Sequence, residues 1–395
     1  MSTTNIFLHT GEVSGDLQGG LLIQALKQQA EARGIDLSIT GVGGQQMSEA
    51  GANVIANTVK LSAIGLLEAL PYYIKGRKLQ KQVNQYLLDN PPDLLILLDY
   101  MGPNIPVGKF IREHLPQVPI AYYIAPQQWV FSTKRDLQNI LSITDKLLAI
   151  FPEEAAFYAA AGANVQWVGH PLVDILAKPM SKAAARSELK IGEEAQIVTL
   201  MPASRKQELH YIMPVMFEAA AYIQAQQPKV RFLIPVSLPD FREDILEMAN
   251  TYNLNARLID KADGQRAIAA ADVVINKSGT ANLEVALMNV PQVVMYRLST
   301  LTGIVAKLIV KTEFVSPVNL MENQAIVPEL LQWDATPQTV SKAALELLTD
   351  DAQRQKMIAG YAQMKQAMGE EGVCDRAANE ILDMLPKRAP EKSPE

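Results

Sequence analysis

Acidic and hydroxyl side chains follow the first apolar run of the chain, Ile6–His9. The next residues form a glycine-rich turn that carries Glu12, Ser14 and Asp16, and leucines at helical spacing follow it. This order predicts a strand, a turn and a helix, the arrangement in which doubly wound sheets bind ligands. Because two carboxylates repel a pyrophosphate, the turn suits sugar hydroxyls better than dinucleotide phosphates. The alternative is an ordinary turn in which Ser14 or Asp16 caps the helix.

A further carboxylate, that of Asp99, ends the apolar run Leu94–Leu98. Tyr-Met-Gly-Pro follows, which cannot continue a strand, so the next helix is expected to start near Asn104. The Asp99 carboxylate is therefore presented at the rim of the predicted sheet. There it can act as a general base toward a substrate hydroxyl within hydrogen-bonding reach. A helix cap, or an acceptor for loop amides, is the alternative role.

Polar turns also end two predicted strands in the second half of the chain. After the apolar run Ile197–Leu200 come Ser204, Arg205 and Glu208, at the start of a predicted helix. The Arg205 guanidinium can form charge-assisted hydrogen bonds with phosphate oxygens, and the helix amides add to the same positive field.

The second of these turns contains Ser278, Gly279 and Thr280, with Glu284 one helical turn later. Small residues let a diphosphate approach bare backbone, and the Glu284 carboxylate can accept hydrogen bonds from ribose hydroxyls. A capping box that ends at an acidic residue would give the same pattern. Two such turns in one domain together favour a nucleoside diphosphate over capping alone.

Several common kinds of reactive centre have no signature in the sequence. The single cysteine, Cys374, excludes a disulfide framework and any multi-cysteine metal site. The histidines lack zinc-site spacing, and no Walker A loop or Gly-x-Ser-x-Gly motif occurs. We therefore expect neither a metal nor a cofactor. Of the histidines, only His170, in Val-Gly-His-Pro at the expected domain junction, is a candidate for function.

Apolar runs of strand length alternate with helical periodicity along most of the chain. The predicted strands are residues 6–9, 37–42, 94–98, 120–124, 147–150, 197–200, 230–234, 272–275 and 292–295. Two successive α/β units of this kind predict two Rossmann-like doubly wound domains. The predicted segments are the domains 1–172 and 173–365, a helical segment 366–386 and a disordered charged tail 387–395. The helical segment packs on its own domain, crosses back to the first, or exchanges with another subunit.

The charge and hydropathy of the chain limit its partners. Its 36 Lys and Arg against 42 Asp and Glu give a formal net charge of −6, which disfavours nucleic acid. No run reaches the ~18–20 apolar residues of a spanning helix, and no signal peptide is apparent, so we expect a cytoplasmic location. Two apolar stretches with basic ends, 61–81 and 301–311, predict core helices or, alternatively, surfaces for an anionic membrane.

Seven short motifs, taken in order, resemble those of the lipid-A-disaccharide synthases. They are Gly11-Glu-Val-Ser-Gly-Asp16, Asp99 with Asn104, Ala125-Pro-Gln-Gln-Trp129, Val168-Gly-His-Pro171, Pro202-Ala-Ser-Arg205 with Glu208, Ser278-Gly-Thr-Ala-Asn-Leu-Glu284 and Val315-Ser-Pro-Val-Asn319. They span nearly the whole chain with matching spacing. The resemblance implies the α/β GT-B fold, in which two Rossmann-like domains face a cleft, here with a helical C-terminal segment.

The resemblance also implies a reaction. A UDP-2,3-diacylglucosamine donor would be joined to 2,3-diacylglucosamine 1-phosphate (lipid X), and UDP released, by an enzyme bound peripherally to the inner membrane. Inversion at the anomeric carbon requires a base for the acceptor 6-hydroxyl, and Asp99 and Glu12 are the candidates. The residues implied to bind substrate are Ser14, Asp16, Asn104, Gln128, Trp129, His170 and Asn319. The residues implied to bind UDP are Ser204, Arg205, Glu208, Ser278, Gly279, Thr280 and Glu284.

Two other functions are compatible with these motifs. A non-hydrolysing UDP-sugar epimerase of the same fold would isomerise UDP-N-acetylglucosamine without an acceptor. A catalytically silent protein would bind nucleotide sugars without turnover.

The chain departs from the family at Ala203, where glycine is usual, and around Trp129, where Ser-x-Trp-Ala-Trp is common. These departures bear on phosphate approach and acceptor specificity. The sequence is compatible with a monomer and with a homodimer.

Overall fold

The computed structural model describes residues 3–11, 13–58, 69–126, 128–129, 133–203, 206–300, 302–304 and 312–386. The chain divides into two compact units. The first is Met1–Asp174 together with Gly369–Glu395, and the second is Ile175–Met368. The C-terminal segment therefore belongs to the first unit.

The described part of the first unit contains a seven-stranded parallel sheet, ordered β3-β2-β1-β4-β5-β6-β7. Its strands are β1 (Thr4–Thr10), β2 (Leu37–Gly43), β3 (Asn53–Asn57), β4 (Leu94–Leu98), β5 (Ile120–Tyr123), β6 (Lys146–Ala149) and β7 (Val165–Trp167). Its helices are α1 (Val13–Ala32), α2 (Gln45–Glu49), α3 (Ala69–Asp89), α4 (Met101–His114), α5 (Lys134–Ile143), α6 (Pro152–Ala160) and, at the end of the unit, α7 (Leu172–Ile175). The reversal of strand order between β1 and β4 is typical of a doubly wound sheet.

The centre of this sheet is β4, in which every side chain is buried. A strand that is apolar on both faces has to be covered on both sides, as the crossover helices of a parallel sheet do. Thr10, at the end of β1, is paired in register with Leu98, at the end of β4. The residues that follow these two strands therefore emerge side by side at the carboxyl edge of the sheet.

The second unit is built on the same plan. Over its described residues it contains a six-stranded parallel sheet, ordered β10-β9-β8-β11-β12-β13. The strands are β8 (Ile197–Met201), β9 (Arg231–Pro235), β10 (Ala256–Ile259), β11 (Val273–Lys277), β12 (Gln292–Tyr296) and β13 (Glu329–Leu331). The helices are α8 (Lys182–Glu188), α9 (Lys206–Tyr211), α10 (Met213–Gln226), α11 (Arg242–Thr251), α12 (Gly264–Ala269), α13 (Thr280–Leu287), α14 (Pro317–Glu322), α15 (Pro337–Thr349) and α16 (Asp351–Met368). Met201 is paired with Asn276, so the turns after β8 and β11 are neighbours.

The last helix, α17 (Val373–Leu382), packs against α1 of the first unit. Arg33, directly after α1, forms an ion pair with Asp383, with 2.6 Å between Nη1 and Oδ1. The Asp174 carboxylate accepts hydrogen bonds from the amides of Gly372, Val373 and Cys374, at 2.7, 3.1 and 2.8 Å. Asp174 thus satisfies amides at the start of α17 that the helix itself cannot pair.

Replacing Asp174 by Ala is expected to lower the free energy of unfolding by about 1–2 kcal/mol, because it removes the cap of α17. Hydrogen exchange should then show faster exchange in residues 373–382. The matched control is Asp383→Ala, which removes an exposed ion pair at the other end of the same helix and should change stability by less than about 1 kcal/mol. Equal protection of α17 in the Asp174 variant and the unmodified protein would contradict this capping role.

The predicted fold class, two Rossmann-like α/β domains with a helical C-terminal segment, is confirmed. None of the helices in the described part of the chain is long and apolar enough to cross a membrane. Of the predicted membrane-contacting stretches, residues 61–68, 301 and 305–311 lie outside the described residues, and 69–81 belong to α3. The predicted disordered tail, 387–395, also lies outside them.

Candidate functional site

Asp99 follows β4 at the carboxyl edge of the first sheet, beside the turn that follows β1. Its backbone is left-handed, with φ of 64°, a conformation that Asp adopts more readily than most residues. The Ser14 Oγ donates a hydrogen bond to Asp99 Oδ2 over 2.7 Å. The Tyr122 hydroxyl donates to the Asp99 carbonyl oxygen over 3.0 Å. Two of the predicted site residues, Asp99 and Ser14, are therefore in contact.

The surroundings of Asp99 disfavour its charged form. Burial raises the pKa of the Asp99 carboxyl above its ordinary value, and the hydrogen bond from Ser14 partly opposes this shift. A carboxylate with a raised pKa holds a proton more strongly. This suits a group that must accept a proton from a hydroxyl.

Asn104 lies beneath the same edge and is fully buried. His9 Nδ1 donates to Asn104 Oδ1 over 2.7 Å, and Asn104 Nδ2 donates to the Leu98 carbonyl oxygen over 2.9 Å. Burial lowers the pKa of His9 to about 4, although the bond to Asn104 opposes the shift, so the imidazole is neutral at pH 7. The direct contact of Asn104 with substrate stays a prediction. In the structure its amide holds the end of β4, directly before Asp99.

Asp16 also bonds to the protein backbone. Its carboxylate accepts hydrogen bonds from the amides of Gly44, Gln46 and Met47, at 2.8, 3.0 and 3.1 Å. Asp16 thus caps α2, a helix other than its own, and its predicted contact with a sugar hydroxyl stays a prediction. Glu12, the second candidate base, lies outside the described residues.

Aromatic side chains gather at another part of the first unit. The ring centroids of Trp129 and Phe151 are 6.1 Å apart, and those of Phe151 and His170 are 5.3 Å apart. Among the described residues, the buried Gln128 Oε1 and Trp129 Nε1 have no hydrogen-bond partner. Because buried polar atoms are nearly always paired, a ligand or water is expected at each of them. Two of the predicted substrate-binding residues, Gln128 and Trp129, therefore have a hydrogen-bonding atom available for a ligand.

His170 is buried and neutral. Its Nδ1 accepts a hydrogen bond from the Leu172 amide over 3.2 Å, so the ring proton is on Nε2. Burial lowers the pKa of His170 to about 3. At pH 7 the imidazole can therefore donate a hydrogen bond from Nε2 without bringing a charge.

Glu154 was missed by the sequence analysis, and it holds the aromatic residue Phe151 in place. Its Oε2 accepts hydrogen bonds from the amides of Ile150 and Phe151, at 2.8 and 3.4 Å. Burial raises the pKa of Glu154 to about 8, against the opposing effect of these bonds. The sequence signal was available: a Glu in the first turn of a helix that begins with Pro152 is typical of a capping box.

In the second unit, Ser278 and Gly279 form the turn between β11 and α13, and Thr280 is the first residue of α13. Gly279 has φ of 146°, a backbone conformation that favours glycine. Ser278 is buried, and its Oγ donates to the Val315 carbonyl oxygen over 3.3 Å, whereas Thr280 is exposed. Glu284 accepts a hydrogen bond from Gln265 Nε2 over 3.0 Å. Burial raises the pKa of Glu284, and the Gln265 bond opposes that shift.

A buried amide network beneath this turn was not foreseen. Asn282 Oδ1 accepts from the Gly279 amide over 3.1 Å, and Asn282 Nδ2 donates to the Lys277 carbonyl oxygen over 2.8 Å. Gln292 Nε2 donates to the Asn282 carbonyl oxygen over 3.0 Å, while Gln292 Oε1 accepts from Asn276 Nδ2 over 2.9 Å. These bonds fix the turn before any ligand arrives. Asn282 belongs to the motif Ser278–Glu284, but the sequence carries no signal for its burial.

Glu208, predicted to bind UDP, is 4% exposed and forms an ion pair with Lys277. The distance between Lys277 Nζ and Glu208 Oε1 is 3.0 Å. The sequence analysis assigned no role to Lys277. Ser204 and Arg205, the other predicted UDP ligands of this turn, lie outside the described residues.

Asn319 is fully buried in the second unit, and its amide bonds only to protein groups. Its Oδ1 accepts from the amides of Ile326 and Val327, both at 2.9 Å. Its Nδ2 donates to the Val327 carbonyl oxygen and to Glu329 Oε2, at 3.0 and 3.1 Å. The contact of Asn319 with the donor stays a prediction, and in the structure both hydrogens of its amide are bonded to protein oxygens. Asn319 organises the segment that contains Val315, whose carbonyl oxygen accepts the hydrogen bond from Ser278.

Clusters of three or more His, Cys, Asp or Glu side chains able to hold a metal ion do not occur among the described residues.

The chain is similar over nearly its whole length to proteins of one family. A family model described as lipid-A-disaccharide synthetase matches residues 6–382. The lipid-A-disaccharide synthase of Gloeothece citriformis is 50% identical over 96% of this chain and 100% of that protein. The one of Synechocystis sp. is 47% identical over 96% of this chain and 97% of that protein.

A solved structure with a similar fold is the S. aureus MnaA-UDP co-structure. It has a TM-score of 0.66 and 16% sequence identity, over 99% of this chain and 100% of that one. At this identity the likeness concerns the fold. The family model and the two synthases cover both units and all seven motifs. The chain therefore belongs to the lipid-A-disaccharide synthase family, the glycosyltransferases of lipid A biosynthesis.

Proposed function

We propose that the chain transfers 2,3-diacylglucosamine from UDP to the 6-hydroxyl of 2,3-diacylglucosamine 1-phosphate, with inversion at the anomeric carbon. The observation that carries the proposal is the half-buried Asp99 carboxylate, bonded to Ser14 at a strand end. Asp99 takes the hydroxyl proton as the acceptor oxygen attacks the anomeric carbon. The bond from that carbon to UDP breaks, the β-1′,6 linkage forms, and UDP leaves.

The donor nucleotide is assigned to the second unit. The turn at Gly279 and the first amides of α13 suit the diphosphate, and the Glu284 carboxylate suits a ribose hydroxyl. Arg205, on its sequence motif alone, adds positive charge for the leaving UDP. The S. aureus MnaA co-structure contains UDP, which supports a nucleotide site in this fold.

The acceptor is assigned to the first unit, which contains Asp99. Gln128 Oε1, Trp129 Nε1 and the neutral His170 offer hydrogen bonds without charge. Such groups suit sugar hydroxyls and acyl-chain carbonyls. The Trp129 and Phe151 rings provide apolar surface beside them.

An assay with UDP-2,3-diacylglucosamine and the acylated monosaccharide phosphate tests the reaction. Lipid-presented enzyme should form disaccharide and UDP in equal amounts. Isomerisation of UDP-N-acetylglucosamine without acceptor would instead favour the epimerase. Binding of UDP with no turnover of any acylated donor would favour the silent binding protein.

The proposal also covers the location of the protein in the cell and its oligomeric state. We place the enzyme at the cytoplasmic face of the inner membrane, bound peripherally through stretches 61–81 and 301–311, because both substrates are lipids. Flotation with vesicles of anionic lipid should carry the protein upward, and neutral vesicles should carry less. Sedimentation equilibrium tests for the homodimer.

Replacing Ser14 by Ala is expected to move the acidic limb of the kcat/KM profile to higher pH. The Ser14 bond lowers the pKa of Asp99, so its loss raises that pKa further, and more alkaline conditions are needed to free the base. Ser38→Ala, at an exposed position of β2, is the matched control and should leave the profile unchanged. A limb that stays in place, or moves to lower pH, would contradict the assignment.

A further inference from the structure

The ion pair of Lys277 and Glu208 joins the two turns that the proposed function assigns to the nucleotide. Lys277 is the last residue of β11, and Glu208 lies in α9, which follows β8. Because β8 and β11 are paired neighbours, the two side chains meet at the carboxyl edge of the sheet. Their side chains are only 17% and 5% exposed.

The ammonium of Lys277 also reaches the glycine turn. A β-carbon placed on Gly279 would lie 3.7 Å from Lys277 Nζ. The first turn of α13, which begins at Thr280, presents amides that the helix leaves unpaired. A cation and helix amides therefore converge on one small volume, which glycine keeps open.

The chemistry of this pair suits an anion with several oxygens. The Lys277 ammonium carries three N–H groups, so its ion pair with Glu208 leaves it donors for a ligand. A buried ion pair adds little stability over an apolar pair of similar volume, so stability alone does not account for it. A buried cation held in one place, in contrast, binds a phosphate without first ordering a flexible side chain.

We propose that Lys277 binds the diphosphate of the nucleotide donor and that Glu208 is the residue that positions it. The assignment rests on the proposed function and adds a group to its donor site. Glu208, predicted from the sequence to bind UDP itself, is thus assigned to positioning Lys277. The sequence signal was a lysine directly before Ser278-Gly-Thr, at the end of a buried strand.

Calorimetric titration of the full-length protein with UDP and with uridine tests the assignment. Lys277→Met keeps the length of the side chain and removes its charge. It is expected to weaken UDP binding about 10- to 100-fold, as the loss of a charge-assisted hydrogen bond does, and to change uridine binding less than about 2-fold. Lys277→Arg keeps the charge and should recover most of the UDP affinity.

Two further variants separate binding from folding. Lys277→Met removes the cation that faces the buried Glu208 carboxylate, so Lys277→Met with Glu208→Gln should bind UDP more tightly than Lys277→Met alone. Lys182→Met is the matched control, because Lys182 pairs with Asp272 at the opposite end of β11. It should leave UDP affinity unchanged.

Lys277→Met protein that binds UDP as tightly as the unmodified protein would overturn the assignment. Equal losses for UDP and uridine would also overturn it, because they would indicate a structural role. Unmodified protein that binds no UDP would contradict the proposed function itself, and the assignment with it.

Discussion

Replacing Asp99 by Asn is expected to reduce kcat by about 100- to 10 000-fold, the range typical for the loss of a general base. The amide has the shape of the carboxylate and can still accept the hydrogen bond from Ser14, but it cannot take the acceptor proton. Because Asp99 acts on the acceptor, the affinity for UDP should stay within about 3-fold. Disaccharide formation and UDP titration, measured on the same preparation, check both parts.

Asp89→Asn, at an exposed position of α3, is the matched control for the change of Asp99 and should retain full activity. Near-normal turnover of the Asp99 variant would remove Asp99 as the base and leave Glu12 as the candidate. Loss of UDP affinity in parallel with turnover would indicate damage to the fold instead.

Replacing Asn319 by Asp is expected to lower the free energy of unfolding by about 3–5 kcal/mol, the range typical of an uncompensated buried charge. The substitution exchanges one NH₂ group for one oxygen of nearly the same size. That oxygen would face the Val327 carbonyl oxygen and Glu329 Oε2, which now accept from Asn319 Nδ2 at 3.0 and 3.1 Å. Three oxygen atoms that accept hydrogen bonds would then lie close together, with no donor between them. Urea denaturation at pH 7 measures the loss.

The destabilisation of the Asn319 variant should depend on pH. In this position the new carboxyl favours its protonated form, so its pKa in the folded protein is raised above that in the unfolded chain. The penalty is therefore greatest at high pH and decreases as the pH falls through the raised pKa. Asn250→Asp, at an exposed position of α11, should change stability by less than about 0.5 kcal/mol. Equal stability of the two variants would contradict the burial argument.

The strands that the sequence analysis missed are the four edge strands of the two sheets: β3, β7, β10 and β13. A central strand is covered on both faces and reads as a continuous apolar run, as Leu94–Leu98 does. The edge strands are mostly half-exposed and carry no such run; β13, for instance, has no fully buried residue. Their pairing depends on a neighbouring strand, which a local pattern does not contain.

Asp99 and Ser14 were each predicted to follow a strand, and the structure brings them into contact, although they are far apart in the chain. The sequence pattern did not contain the strand order that makes them neighbours. Asp16 and Asn319 were expected to face ligands but bond to backbone amides. An Asp or Asn at a turn has the same appearance in the sequence whether its partner is a substrate or a loop.

The sequence by itself determined the parallel α/β class, the core strands, the turns that carry chemistry and the family. Apolar periodicity and short motifs are local, so they can be recognised without coordinates. The tertiary structure alone decided the return of α17 to the first unit, the burial of Asn104 and Asn319, and the pairing of Lys277 with Glu208. These depend on which strand ends become neighbours, because a hydrogen bond or ion pair needs its partner within about 3 Å, whatever their distance along the chain.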